Sequence, residues 1–123
     1  MIIGRLGIVA PRGQRQELGK ALVSLVGPTQ VQPGCLGCRL LQNWQETDQL
    51  VIETDWATEE NLVRHLQSDI YKRLLMLLDL GRTPPLLQYY RVEQVSGLEL
   101  VEKARNCFAI SDDADGDVNG KAL

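Results

Sequence analysis

Residues 35–71, CLGCRLLQNWQETDQLVIETDWATEENLVRHLQSDIY, decide the fold. Residues 35–43 are mostly apolar and read as a strand. Residues 49–56, QLVIETDW, alternate, so Leu50, Ile52, Thr54 and Trp56 share one face and Val51, Glu53 and Asp55 the other. A polar turn around Glu46-Thr47-Asp48 joins the two runs into a hairpin. Thr58 then supplies a hydroxyl cap, with Glu59 and Glu60 in the first helical turn. Apolar positions at Leu62, Leu66, Ile70, Leu74, Leu77 and Leu78 carry the helical pattern to Gly81. Ser68-Asp69 forms a second cap signal inside it, able to divide one helix into two.

Upstream, residues 2–10 (IIGRLGIVA) are β-branched and apolar, as a first strand requires. From Arg12 to Val26 the positions Leu18, Ala21, Leu22, Leu25 and Val26 line one helix face, with Gly27-Pro28 expected to stop it. Pro33-Gly34 is a turn pair. Downstream, Pro84-Pro85 ends the helical region, residues 86–95 (LLQYYRVEQV) read as a last strand, and Gly97 to Arg105 as a short helix. The order β-α-β-β-α-β predicts an α+β, ferredoxin-like domain: a four-stranded antiparallel sheet with its helices on one face. The uncovered face calls for a second copy, which predicts a homodimer.

The chain has 123 residues, enough for one domain with its own core. The domain is expected over residues 1–105, followed by an acidic tail, 106–123, expected to be disordered. That tail holds Asp112, Asp113, Asp115 and Asp117 against Lys121, so the net charge of −3 lies there and the body is formally neutral. A neutral body has no electrostatic footprint for nucleic acid or an anionic membrane. No apolar run approaches the roughly 20 residues of a membrane span. The start lacks a basic leader and a cleavage pattern, so no secretory signal is expected. The odd count of three cysteines, Cys35, Cys38 and Cys107, points to reduced thiols and a cytoplasmic setting.

The turn Pro33-Gly34-Cys35, Trp56 closing a strand, and the spaced trio His65, Ser68 and Tyr71 resemble the antibiotic-biosynthesis monooxygenase family over about residues 2–95. The resemblance implies a homodimeric α+β barrel with a pocket between sheet and helices in each subunit. Characterised members oxygenate quinols or aromatic polyketide intermediates without flavin or metal, and one branch degrades haem. The haem branch uses an Asn on the first strand and a His beyond the position of His65. Here the first Asn is Asn43, and KRLLMLLDL after Tyr71 holds no His. The polyketide-oxidising branch carries a polar Asn where this chain has Ile52.

These residues define the candidate site. His65, the lone histidine, is the candidate base, Trp56 a flat wall with an N–H donor, and Tyr71 a further catalytic group. Ile52, Trp56 and Leu62 are the candidate substrate-binding residues. No cofactor or metal is expected. Each has a plainer reading: Trp56 as core, Tyr71 as a half-buried helix aromatic, and His65 as a surface partner of Asp69 at i+4 or a dimer-interface residue. Cys35-x-x-Cys38 lies along a strand, where its side chains are expected on opposite faces, which argues against a redox or metal role. Asp115-x-Asp117-x-Asn119-Gly120 opens like a calcium loop but lacks its twelfth-position Glu. The function expected is a cofactor-independent monooxygenase acting on a quinol-like or aromatic polyketide-like small molecule. The alternative is a non-catalytic dimeric barrel that binds a small apolar ligand or serves as an interaction module.

Overall fold

Alternation along β3 (Gln49–Trp56) sets the sheet: Leu50, Ile52, Thr54 and Trp56 are buried, and the residues between them are half-buried. In the computed structural model, which describes residues 1–111, β3 lies between β1 (Ile2–Val9) and β2 (Cys35–Gln42). The fourth strand, β4 (Leu86–Arg91), pairs with the other side of β1, giving the order β2-β3-β1-β4 with every neighbour antiparallel. The register sets Ile2 opposite Trp56, Gly4 opposite Thr54, Leu6 opposite Ile52 and Ile8 opposite Leu50, so one apolar face runs across two strands.

Four helices accompany this sheet: α1 (Arg15–Val23), α2 (Val26–Gln30), α3 (Glu59–Leu66) and α4 (Asp69–Leu78). Leu18, Leu22, Leu25, Tyr71, Leu74 and Leu78 pack with Leu6, Ile8, Leu50 and Ile52 in the main core. A smaller cluster holds Ile2, Trp56 and Leu62. The ferredoxin-like α+β fold expected from the sequence is therefore present. A separate unit begins at Glu93 and carries α5 (Leu98–Ser111). Among the described residues no helix is long and apolar enough to cross a membrane.

Four local expectations change. Gly27-Pro28 does not end the helical region: α1 stops at Val23, and the pair sits in the first turn of α2. Proline is tolerated there because first-turn N–H groups have no intrahelical acceptor. The last strand ends at Arg91 rather than at residue 95, since β1, its neighbour, has run out; Val92 N–H makes a final bond to the Met1 carbonyl. The helix expected to end near Arg105 continues to Ser111. The acidic residues 112–123, with the calcium-loop-like run, lie outside the described residues. Finally, β2 bulges at Leu36, so Cys35 pairs with Trp56 and Cys38 with Thr54. The inserted residue shifts the alternation by one, and both cysteines face the helices rather than opposite sides.

The other sheet face carries a charged row. Arg39 bonds Glu53 at 2.6 Å and Asp55 at 2.7 Å, and Arg5 reaches Glu53 at 3.4 Å. Beside them Leu41, Leu86 and Tyr90 are 41%, 42% and 44% exposed.

Candidate active site

Three segments converge on His65. Trp56 closes β3, and its strand alternation turns the indole inward, where it is fully buried. Thr58 then caps α3: its hydroxyl accepts from the Asn61 N–H at 3.1 Å, which starts the helix three residues after the tryptophan. Two turns later His65 returns to the indole, and the rings stack with centroids 4.5 Å apart.

Ser68 makes the third side. Its backbone is extended, at φ −82° and ψ 160°, so the helix ends. Its hydroxyl donates to the His65 carbonyl at 2.6 Å and accepts from the Tyr71 N–H at 3.2 Å. One side chain thus closes α3 and opens α4. A continuous helix would carry positions 65 and 71 to different faces. The break instead brings Tyr71 edge-on to His65, with centroids 5.2 Å apart.

Beyond Tyr71, its hydroxyl meets that of Tyr89 on β4 at 2.8 Å. Tyr89 lies over Gly4, where an added Cβ would come within 2.8 Å of both the tyrosine ring and Thr54 Oγ1. Glycine leaves the floor of the sheet open between them. His65 Nδ1 lies 2.5 Å from Gln32 Oε1.

Among the described residues, three buried side-chain polar atoms have no hydrogen-bond partner: Thr54 Oγ1, Trp56 Nε1 and His65 Nε2. Trp56 and His65 form the stack itself, and Thr54 lies on the same strand face, against Gly4 and beside the Tyr89 ring. Burial also lowers the His65 pKa from 6.5 to about 4, so the imidazole is neutral at pH 7. The Tyr89 phenol is pushed up by burial and by its bond to Tyr71, so it too stays protonated.

A profile for antibiotic biosynthesis monooxygenases matches residues 1–75, more than half of the chain. The chain belongs to the antibiotic biosynthesis monooxygenase family. Solved structures agree on the fold. A Deinococcus radiodurans protein assigned to this family superposes with a TM-score of 0.71 at 18% identity, covering 79% of this chain and 97% of its own. One from Nitrosomonas europaea, similarly assigned, gives 0.69 at 14% identity, covering 76% of this chain and all of its own. A conserved protein from Methanosarcina mazei gives 0.69 at 22%, covering 75% of this chain and 92% of its own. No curated protein matches the sequence.

On this monooxygenase-family fold, the sequence candidates separate into two groups. Trp56, His65 and Tyr71 come together in one stack, with Leu62 packed beside Trp56. Ile52 lies in the main core with Leu6 and Leu50, and is not grouped with the Trp56 cluster. His65 is 2% exposed and bonds Gln32, so it is not a surface partner of Asp69.

Thr54, Tyr89, Gly4 and Gln32 complete the cluster. Thr54 was visible in the sequence as a face-mate of Trp56. Tyr89 and Gly4 depend on strand order, and Gln32 stands in a polar connection without pattern. Cys35 and Cys38 share a face, but burial pushes the Cys38 thiol up to about 11 and raises that of Cys35. Neither is a thiolate at neutral pH. Among the described residues no group of three or more His, Cys, Asp or Glu is placed to hold a metal ion.

Proposed function

We propose that this chain is a monooxygenase that oxidises a small electron-rich phenol, quinol-like or aromatic polyketide-like, with O2 and without flavin, haem or metal. One observation carries the reading: the unpartnered Trp56 Nε1 and His65 Nε2 in one buried stack, with the unpartnered Thr54 Oγ1 on the same strand face as Trp56. Each buried polar atom left unpaired costs about 1–3 kcal/mol. Their chemistry is complementary to a hydroxyl. The indole N–H donates, a neutral imidazole nitrogen accepts, and the threonine hydroxyl does either.

The proposed reaction begins with proton transfer from the substrate to His65 Nε2. The resulting anion gives two electrons to O2, one oxygen atom bonds to the ring carbon, and the peroxide takes the proton back from His65 to become a hydroperoxide. At a methylene position, loss of water then leaves a carbonyl, so one methylene and one dioxygen become one carbonyl and one water. An imidazole with a pKa near 4 is a weak base for a free phenol. An anion left about 4 Å from the imidazolium, at an effective dielectric of about 20, stabilises it by about 4 kcal/mol. That is comparable to the burial penalty that lowered the pKa. Proton transfer is therefore coupled to substrate occupancy, which suits a base that must not titrate in the empty site. Because the three atoms are shut off from solvent, substrate entry requires the elements around them to move outward.

The reading includes a homodimer through the charged sheet face with Leu41, Leu86 and Tyr90, and a cytoplasmic setting that suits the free thiols Cys35 and Cys38. The same weak basicity favours a second reading, a non-catalytic barrel that binds a phenolic ligand. Oxygen-electrode assays with anthrone as probe separate the two. Turnover with no added cofactor, reduced about 100-fold or more in His65→Gln, is expected for a general base. No oxygen uptake above the uncatalysed rate, with anthrone or any quinol tried, leaves the binding barrel.

A further inference from the structure

His65 has two ring nitrogens, and only one can serve as the base. Its Nδ1 lies 2.5 Å from Gln32 Oε1, across 33 residues of sequence. An amide oxygen only accepts hydrogen bonds, so Nδ1 must carry the proton. The lone pair then belongs to Nε2, the buried nitrogen without a partner.

The segment that presents Gln32 is held on both sides. Its N–H donates to the Thr29 carbonyl at 3.1 Å, and its own carbonyl accepts from the Cys35 N–H at 3.1 Å. Two residues on, Gly34 takes φ +79°, a conformation that favours glycine. The Gly34 carbonyl accepts from the Ala57 N–H at 2.8 Å, and the Asn61 side chain fills the space where a Cβ would stand. Asn61 is held in turn by the Thr58 hydroxyl at 2.6 Å. The turn is therefore docked on the first part of α3, the helix that carries His65. Gln32 approaches the imidazole from a fixed base.

We infer that Gln32 is a positioning residue, locking His65 in the Nδ1–H tautomer so that the Nε2 lone pair stays available in the buried cluster. The inference rests on the reading of His65 as the base. When Nε2 takes a proton, the Nδ1–H···O bond persists and becomes charge-assisted, so the amide stabilises the product of the transfer. The groups packed on the ring are Trp56, Tyr71 and Gln32.

Because the chain contains one histidine, a long-range proton–nitrogen NMR spectrum holds a single imidazole. At pH 7 the wild type should show a pyrrole-type Nδ1 and a pyridine-type Nε2. Gln32→Leu should populate the Nε2–H tautomer and lower kcat for anthrone oxidation by up to about tenfold, the worth of one net hydrogen bond, with KM unchanged. Gln32→Glu should keep the Nδ1–H form and raise the imidazole pKa, because a carboxylate favours the imidazolium. A wild-type imidazole protonated at Nε2 overturns the inference, since the amide would then be donating to Nδ1. So does a nitrogen pattern that Gln32→Leu leaves unchanged. These spectra need no substrate: missing oxygen uptake counts against the proposed reaction, and the wrong tautomer counts against Gln32.

Discussion

Acidification should unfold this protein through His65. The folded imidazole has a pKa of about 4 and the unfolded one 6.5, so between these values the unfolded chain binds the proton more readily. Stability from the neutral buried ring is therefore fully present above pH 6.5 and is lost as pH falls towards 4. At about 1.36 kcal/mol per pH unit the loss is about 2 kcal/mol by pH 5 and about 3 kcal/mol by pH 4. Carboxylates titrate in the same range, so the wild type must be compared with His65→Gln, which does not titrate there. Urea unfolding at fixed protein concentration from about pH 7.5 to 4 gives the difference curve. It should be flat above about pH 6.5 and then fall by about 3 kcal/mol. The NMR midpoint of the single imidazole should lie near 4. A flat difference curve, or a midpoint near 6.5, would show that His65 is solvated in the folded state and refute its burial against Trp56.

Gly4→Ala should cost about 1–3 kcal/mol, the usual penalty of overpacking, because its Cβ meets Thr54 Oγ1 and the Tyr89 ring; urea midpoints read this directly. Ser68→Ala removes the residue that closes α3 and opens α4, and should lower stability by about 1 kcal/mol, or Tm by about 5 °C. Light scattering in dilute solution should give about twice 13.7 kDa, and Leu41→Asp with Leu86→Asp should shift the protein towards monomer while α-helical circular dichroism is retained. A wild-type monomer with a cooperative melt contradicts the proposed dimer.

Strands and caps were legible because their signals are local. The alternation from Leu50 to Trp56, the Thr58 cap and the Ser68 cap each involve neighbours a few residues apart, and each stands where expected. The bulge at Leu36 was hidden, since one inserted residue leaves no mark in an apolar run such as CLGCRLL, yet it turned both cysteines to one face. The site was half legible. Trp56, His65 and Tyr71 flank one strand–helix–helix junction and share a local logic. Gln32 and Tyr89 reach the same rings from 33 and 18 residues away from their partners, His65 and Tyr71. Such contacts follow from sheet order and turn docking rather than from periodicity. The burial of His65 was also invisible, because a helix of charged and apolar residues does not reveal which polar member faces the sheet.

The proposed function turns on Trp56 Nε1 and His65 Nε2, stacked and unpartnered, meeting one substrate hydroxyl. An anaerobic titration tests it most directly, since without O2 the phenol binds and does not react. Anthrone, in its phenolic tautomer, or a stable quinol analogue is added while the Trp56 indole and His65 imidazole nitrogens are followed by NMR. Both should shift together and saturate at one ligand concentration, with the His65 pKa raised above 4 in the complex. In His65→Gln the indole should stay unmoved at the same ligand level if the hydroxyl needs that acceptor. Saturable binding that shifts surface signals and leaves the Trp56 and His65 nitrogens unmoved would contradict the claim, and the stack would then be a packed corner of the core.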